Sequence, residues 1–227
     1  MKLKVGSFTA PLLAALLLGC VAAQAQTLVT TRPTGTDSVN WSQLGSYSTS
    51  IPNPFSFTTT DGVAGTGSYA TATGEVMQQA VTWAGNFASD DYLNWTEGNG
   101  PLTLDFTSGY SQIGAQIQED AYGAFTAELC DAFGCVTEDG DSTSNDDDSA
   151  IYIGISSGTS DIDWVTFSLT SSGGSLGNFA INQMTLNGPT SVPEGGAAVV
   201  YLLLAFSACF GTILLKSRAG RRMGAIA

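Results

Sequence analysis

Between residues 26 and 189 apolar and polar side chains take turns along the chain, and this alternation is the clearest signal in the sequence. Leu102, Leu104 and Phe106 share one face, and Ile113, Ala115 and Ile117 share another with Gln116 and Gln118 pointing the opposite way. Phe125, Ala127 and Leu129 repeat the pattern, as do Ile151, Ile153 and Ile155. Val165, Phe167 and Leu169 form a further inward set, with Trp164, Thr166 and Ser168 facing away. A period of two is the signature of a half-buried strand. Shorter patterns at 39–44, 55–59, 68–73, 76–83 and 179–186 extend it. Turn-forming groups separate the runs: Pro52-Asn53-Pro54, Asp61-Gly62, Gly98-Asn99-Gly100-Pro101 and Ser171-Ser172-Gly173-Gly174. Nine or ten short strands with few helical stretches predict an all-β fold, two antiparallel sheets packed as a jelly-roll-like β-sandwich. An immunoglobulin-like sandwich would usually need only about seven.

Two continuous apolar runs break the alternation, one at each end. Lys2 and Lys4 precede a leucine-rich segment that closes on Ala23-Gln24-Ala25. A positive start, an apolar middle and a small-x-small exit predict a secretory signal over residues 1–25, cut by signal peptidase after Ala25. Leu17-Leu18-Gly19-Cys20 offers a rival, a lipobox at which Cys20 would be acylated. Residues 197–215 are all apolar or small and uncharged. As a helix they would span roughly 28 Å, about the thickness of a bilayer's hydrocarbon core. The basic tail at 216–222 would stay cytoplasmic, because positive segments resist translocation. The expected plan is a signal at 1–25, a β-sandwich ectodomain at 26–189 and a membrane-sorting segment at 190–227.

Val192-Pro193-Glu194-Gly195-Gly196, the apolar run and the arginines at 218, 221 and 222 together resemble a PEP-CTERM sorting signal. Gly195 stands where the family has proline, a glycine variant of the motif. Segments 39–45, 83–87, 114–118, 122–127 and 179–183 are similar to ectodomains carried on PEP-CTERM proteins. The resemblance implies an exported, single-pass membrane precursor handled by an exosortase-type sorting enzyme. It also implies a cell-surface or extracellular destination in Gram-negative bacteria that make extracellular polysaccharide. A plain C-terminal anchor is the alternative.

Charge sharpens the picture. Of seven basic residues only Arg32 falls within 26–189, against nineteen of the twenty acids. Such a domain is repelled by nucleic acid and by anionic membrane surfaces. There is no histidine, which removes the usual general base, any Ser-His-Asp arrangement and the commonest metal ligand. The expectation is a non-catalytic domain associated with exopolysaccharide. A carbohydrate-binding module is the first alternative. The second is a carboxylate-dependent glycoside hydrolase built on a pair such as Glu119 and Asp120 or Asp161 and Asp163.

Three features carry candidate chemistry. Cys130 and Cys135 would face each other if the strands around them form a hairpin, predicting a disulfide that contributes ~2 kcal/mol because the closed loop is small. Residues 138–148 hold six carboxylates and read as an acidic loop without EF-hand spacing. Asp139, Asp141, Asn145 and Asp147 offer the alternating oxygens that calcium accepts. Trp164, outward by pattern, is the candidate ligand-binding aromatic.

Overall fold

The computed structural model describes residues 26–70, 73–143, 149–172 and 177–188. Among them lie fifteen strands, numbered in chain order, and all the pairings between strands are antiparallel. The first sheet contains β1 (Thr27–Val29), β2 (Asp37–Val39), β3 (Thr49–Ile51), β6 (Gly74–Gln78), β7 (Tyr92–Thr96), β9 (Gln112–Glu119), β12 (Ile151–Ser156), β14 (Phe179–Ile181) and β15 (Met184–Asn187). The second contains β4 (Phe55–Thr58), β5 (Ala64–Tyr69), β8 (Leu102–Tyr110), β10 (Gly123–Asp131), β11 (Gly134–Ser142) and β13 (Ile162–Ser172). Its order is β11-β10-β13-β8-β5-β4, and the first runs β1-β12-β9-β14-β7-β6-β3 with β15 and β2 as a branch off β9. This is a two-sheet antiparallel β-sandwich, as the alternation predicts.

The predicted inward residues build the core. Leu102, Leu104, Ile113, Ala115, Ile117, Ala127, Leu129, Val165 and Phe167 are all fully buried. An aromatic chain crosses the same core. Trp41 packs edge-on against Phe55 and Phe57 with centroids at 6.5 and 6.0 Å. Phe57 meets Phe106 at 5.4 Å, and Phe106 meets Tyr110 at 5.3 Å. Edge-to-face contacts of this kind add ~0.5–1.5 kcal/mol beyond area burial. The sequence makes room for the rings. Phe55 and Phe57 pair directly with Gly67 and Gly65, and a Cβ on either glycine would come within 2.0 or 2.3 Å of the opposing ring.

Several sequence expectations need correction. Residues 39–44 are not one strand. β2 ends at Val39, and Trp41–Leu44 is a 3₁₀ turn whose cap, the Asn40 side chain, accepts from the Ser42 amide at 2.9 Å. An asparagine cap outcompetes a short ladder here, because it satisfies an amide that a helix start leaves open. The 76–83 pattern stops at Gln78, where the chain turns through Ala80 at a positive φ of 62°. The 179–186 pattern splits into β14 and β15 at Asn182 and Gln183. The two glutamines of β9 do face away from the main core, yet Gln116 and Gln118 are buried. The 79–91 connection covers them and carries a second apolar cluster of Trp83 and Phe87 with Leu93, Ala150 and Ala180.

The acidic run is also not simply a loop. Its first part, through Ser142, is the body of β11, paired residue for residue with β10. Gly140 lies opposite Phe125, and a Cβ there would sit 2.5 Å from the Phe125 ring. That fit holds the strand in register past its acids.

Candidate functional site

The outer face of the second sheet carries polar side chains from β5, β8 and β13. β13 sends Trp164, Thr166 and Ser168 to it, each half-buried, while Val165, Phe167 and Leu169 enter the core. Trp164 lies directly opposite Asp105 on β8, and Asp105 opposite Thr66 on β5. With strands ~4.8 Å apart, indole, carboxylate and hydroxyl form a row about 10 Å long. A parallel row joins Thr166 to Thr103 and Thr103 to Ser68. Register shifts between Ile162 and Trp164, the kind of bulge that re-aims a side chain. Beside the first row lies a shallow depression of about 320 Å³, which Asp105, Thr66, Ser56 and Thr107 help to line. Ser168 Oγ donates to Glu128 Oε1 at 3.4 Å on the same face.

A second concavity, of about 180 Å³, opens where β9 ends, between Thr82, Trp83, Gln118, Glu119, Asp120 and Tyr122. Tyr122 is 64% exposed there, whereas Trp83 is held by its Nε1 donating to Gln118 Oε1 at 2.8 Å. The floor is an amide network. Asn86 N donates to Gln118 Oε1 at 3.0 Å, Gln118 Nε2 donates to Asn86 Oδ1, and Asn86 Nδ2 donates to Thr143 Oγ1 at 3.1 Å. Asn86 O accepts from the amides of Ser149 and Ala150 at 2.6 and 3.0 Å. Thr143 on one side and Ser149 and Ala150 on the other are therefore tied to one asparagine. Gly85 is required beneath this network, since a Cβ would sit 1.7 Å from Gln118 Oε1. The sequence reading missed this concavity. The only sign of it was two outward glutamines in a strand flanked by apolar residues.

Two carboxyl groups at the β10–β11 end are pushed in opposite directions. Burial raises Asp131 above the ordinary carboxylate range, helped by the charge of Asp161 and opposed by the amides of Phe133 and Gly134. Those amides donate to Asp131 Oδ1 at 2.8 and 3.1 Å, closing the hairpin turn, and Gln26 Nε2 donates to Oδ2 at 2.6 Å. Hydroxyls of Ser157 and Thr159 hold Asp161 below the ordinary range. A split pair is what acid–base catalysis uses, but Asp131 Oδ1 is occupied in shaping the turn and Oδ2 in holding Gln26.

The remaining predicted residues fall as follows. Cys130 and Cys135 are directly paired across β10 and β11 and form a disulfide. Among the described residues the one group of three possible metal ligands is Glu128 with these two cysteines; oxidised sulfurs leave no thiolate to bind an ion. Asp139 and Asp141 occupy alternate outward positions on β11, and Asp139 Oδ1 accepts from Thr126 Oγ1 at 2.7 Å. Asn145 and Asp147 lie outside the described residues, as do the signal segment, Cys20, the motif at 192–196, the helix at 197–215 and the basic tail.

No protein-family model matches the chain. No curated protein matches it either. Among solved structures the chain is similar to CsCBM6-3 of Clostridium stercorarium, determined in complex with cellobiose. The two are 13% identical with a TM-score of 0.26, over 70% of this chain and 97% of that one.

Proposed function

We propose that this chain is an exported, membrane-sorted surface or matrix protein whose sandwich is non-catalytic and holds extracellular polysaccharide on the outer face of its second sheet. The row of Trp164, Asp105 and Thr66 carries the reading. An aromatic face takes up the apolar side of a sugar ring, while a carboxylate and hydroxyls alongside it receive and return the ring's hydroxyl hydrogen bonds. The engagement of Asp131 by the turn amides and Gln26, and of Asp161 by the Ser157 and Thr159 hydroxyls, supports a binding role over hydrolysis at that pair. Export after Ala25, with sorting through Val192, Pro193, Glu194, Gly195 and Gly196, accounts for the apolar runs at both ends. The intact mass of the mature protein tests this part. A product that retains Lys216 and the arginines beyond it would leave only the plain anchor.

Binding is tested by retention of the full chain, in detergent micelles, on immobilised neutral polysaccharides. Trp164→Ala is expected to abolish retention while lowering stability by no more than ~1 kcal/mol, since the ring is half-exposed. Undiminished retention of that variant would remove the outer face from consideration, and release of reducing sugar by the wild type would favour the hydrolase.

A further inference from the structure

Arg32 is the lone cation of residues 26–188, and among the described residues no carboxylate pairs with it. Its Nε donates to Thr185 Oγ1 and one Nη to the Gln183 carbonyl, both at 3.3 Å. A guanidinium has five N–H donors in a planar fork, so three remain. The side chain is exposed and lines a cavity of about 280 Å³ beside Thr36, Asp37, Ser38, Thr60 and Gln183, which shares no lining residue with the depression beside Asp105.

Asp37 would be the natural partner for Arg32, and its own surroundings prevent this. Its Oδ1 accepts from the Ser38 amide, Thr60 Oγ1 and the Asp61 amide at 2.8, 2.8 and 2.9 Å, and its Oδ2 accepts from Tyr110 at 2.8 Å. A carboxylate has about four lone-pair sites, and these are filled from inside the fold. What the cavity presents to a ligand is therefore one incompletely used guanidinium, ringed by hydroxyls and an amide. Ser38 Oγ accepts from Gln183 Nε2 at 3.0 Å and lies 3.4 Å from Thr60 Oγ1, and Thr36 Oγ1 accepts from the Gly188 amide at 3.0 Å and donates to the Leu186 carbonyl at 3.5 Å, so each of the two hydroxyls keeps one acceptor lone pair for a ligand.

We infer that this cavity is a second binding site and that it takes a hydroxylated monocarboxylate, namely a uronic acid residue of an acidic polysaccharide. The guanidinium fork matches a carboxylate with two parallel N–H···O bonds. The hydroxyls and Gln183 match the sugar's own hydroxyls. A single negative charge fits best, because one guanidinium balances it while the buried Asp37 charge stands against a second.

The test is a titration of the full chain in micelles with D-glucuronate, its methyl ester, D-glucose and glucose 6-sulfate, followed by amide chemical shifts. Glucuronate is expected to bind at least ~10-fold more tightly than the ester or glucose, the change that losing about 1.4 kcal/mol of charged contact produces. Arg32→Gln is expected to erase that preference, and Arg32→Lys to retain part of it, keeping the charge without the fork. Trp164→Ala is expected to leave glucuronate binding unchanged, which separates this site from the outer-face reading. Equal binding of glucuronate and its methyl ester by the wild type overturns the inference without reference to any variant's folding. A glucose 6-sulfate affinity equal to or above that of glucuronate overturns the carboxylate assignment.

Discussion

Asn182 and Gln116 are joined by three hydrogen bonds. The Asn182 amide donates to the Gln116 carbonyl at 3.1 Å, the Gln116 amide donates to Asn182 Oδ1 at 3.0 Å, and Asn182 Nδ2 donates to Gln116 Oε1 at 2.6 Å. They lie where the neighbour of β9 changes from β14 to β15, so a side chain there stands in for the missing rung of the ladder. Asn182 Nδ2 also donates to Asp91 Oδ2 at 2.9 Å, and its carbonyl accepts from Trp41 Nε1 at 2.8 Å. One buried asparagine thus fixes the sheet branch, the covering connection and the central tryptophan.

Asn182→Ala should cost about 3 kcal/mol, since each buried group stripped of its partner costs ~1–3 kcal/mol. Asn182→Asp should be worse at neutral pH, because it sets a charge against Asp91 and the Gln116 carbonyl, and should recover partly in acid. Urea titrations at pH 7 and pH 5 measure both. An alanine variant within 1 kcal/mol of wild type, a threshold of about the usual effect of a single substitution, would show that the branch needs no rung.

Asp37 gives the fold a pH-dependent element. Burial pulls its carboxyl up, but hydrogen bonds from Thr59, Thr60, the Asp61 amide and Tyr110 outweigh this and hold it below the ordinary value. A depressed folded value means stability that is fully present above the unfolded pKa of about 3.9 and lost as pH falls through the folded one. Asp37→Asn should therefore melt below wild type at pH 7, and the two curves should draw together as acid protonates the wild-type carboxyl. A gap that stays constant into acid would mean that packing, not charge, is what Asp37 supplies.

Asp131 has the opposite sign. Its folded value is raised, so the ionised form is disfavoured by folding and stability is gained as pH drops through the folded value towards the unfolded one. Asp131→Asn keeps an acceptor for the Phe133 and Gly134 amides and offers a donor to Gln26 Oε1, which is buried without a partner among the described residues. The variant should match or exceed the wild-type melting temperature at pH 7, by up to about 4 °C for ~1 kcal/mol. That advantage should shrink at pH 4. A lower melting temperature at pH 7 would contradict the burial argument.

The disulfide between Cys130 and Cys135 closes a six-residue turn already shaped by Asp131. Cys130→Ser should cost no more than ~2 kcal/mol, since little loop entropy is removed from the unfolded chain. Free thiols in unreduced, exported protein would show that the bond does not form in the cell.

What the sequence disclosed follows from which faces are wet. Strands with one solvated face, such as β8, β10 and β13, alternate openly and were legible almost residue for residue, together with the outward Trp164 and the paired cysteines. β7 was not, because both its faces are covered: Leu93 and Trp95 join the second cluster while Asn94 turns inward to accept from the Tyr69 hydroxyl at 2.7 Å. A polar residue on the inside and apolar ones on the outside erase the pattern. β1 and β3 are three residues each, too short to show a period. The Arg32 cavity was illegible for another reason, since it joins residues 32–38 to residues 183–185 and no local pattern records that meeting.

β11 is an outer strand of its sheet, and beyond it lies no partner backbone among the described residues. Its exposed side chains Cys135, Thr137, Asp139 and Asp141 recur about every 6.8 Å. A second copy of the protein approaching to zip onto this border would bring the same two carboxylates alongside, and like charges at that spacing repel. The acids that look like a cation trap in the sequence therefore also act as a fence. Copies crowded side by side can stand close together without knitting their sheets into a fibre.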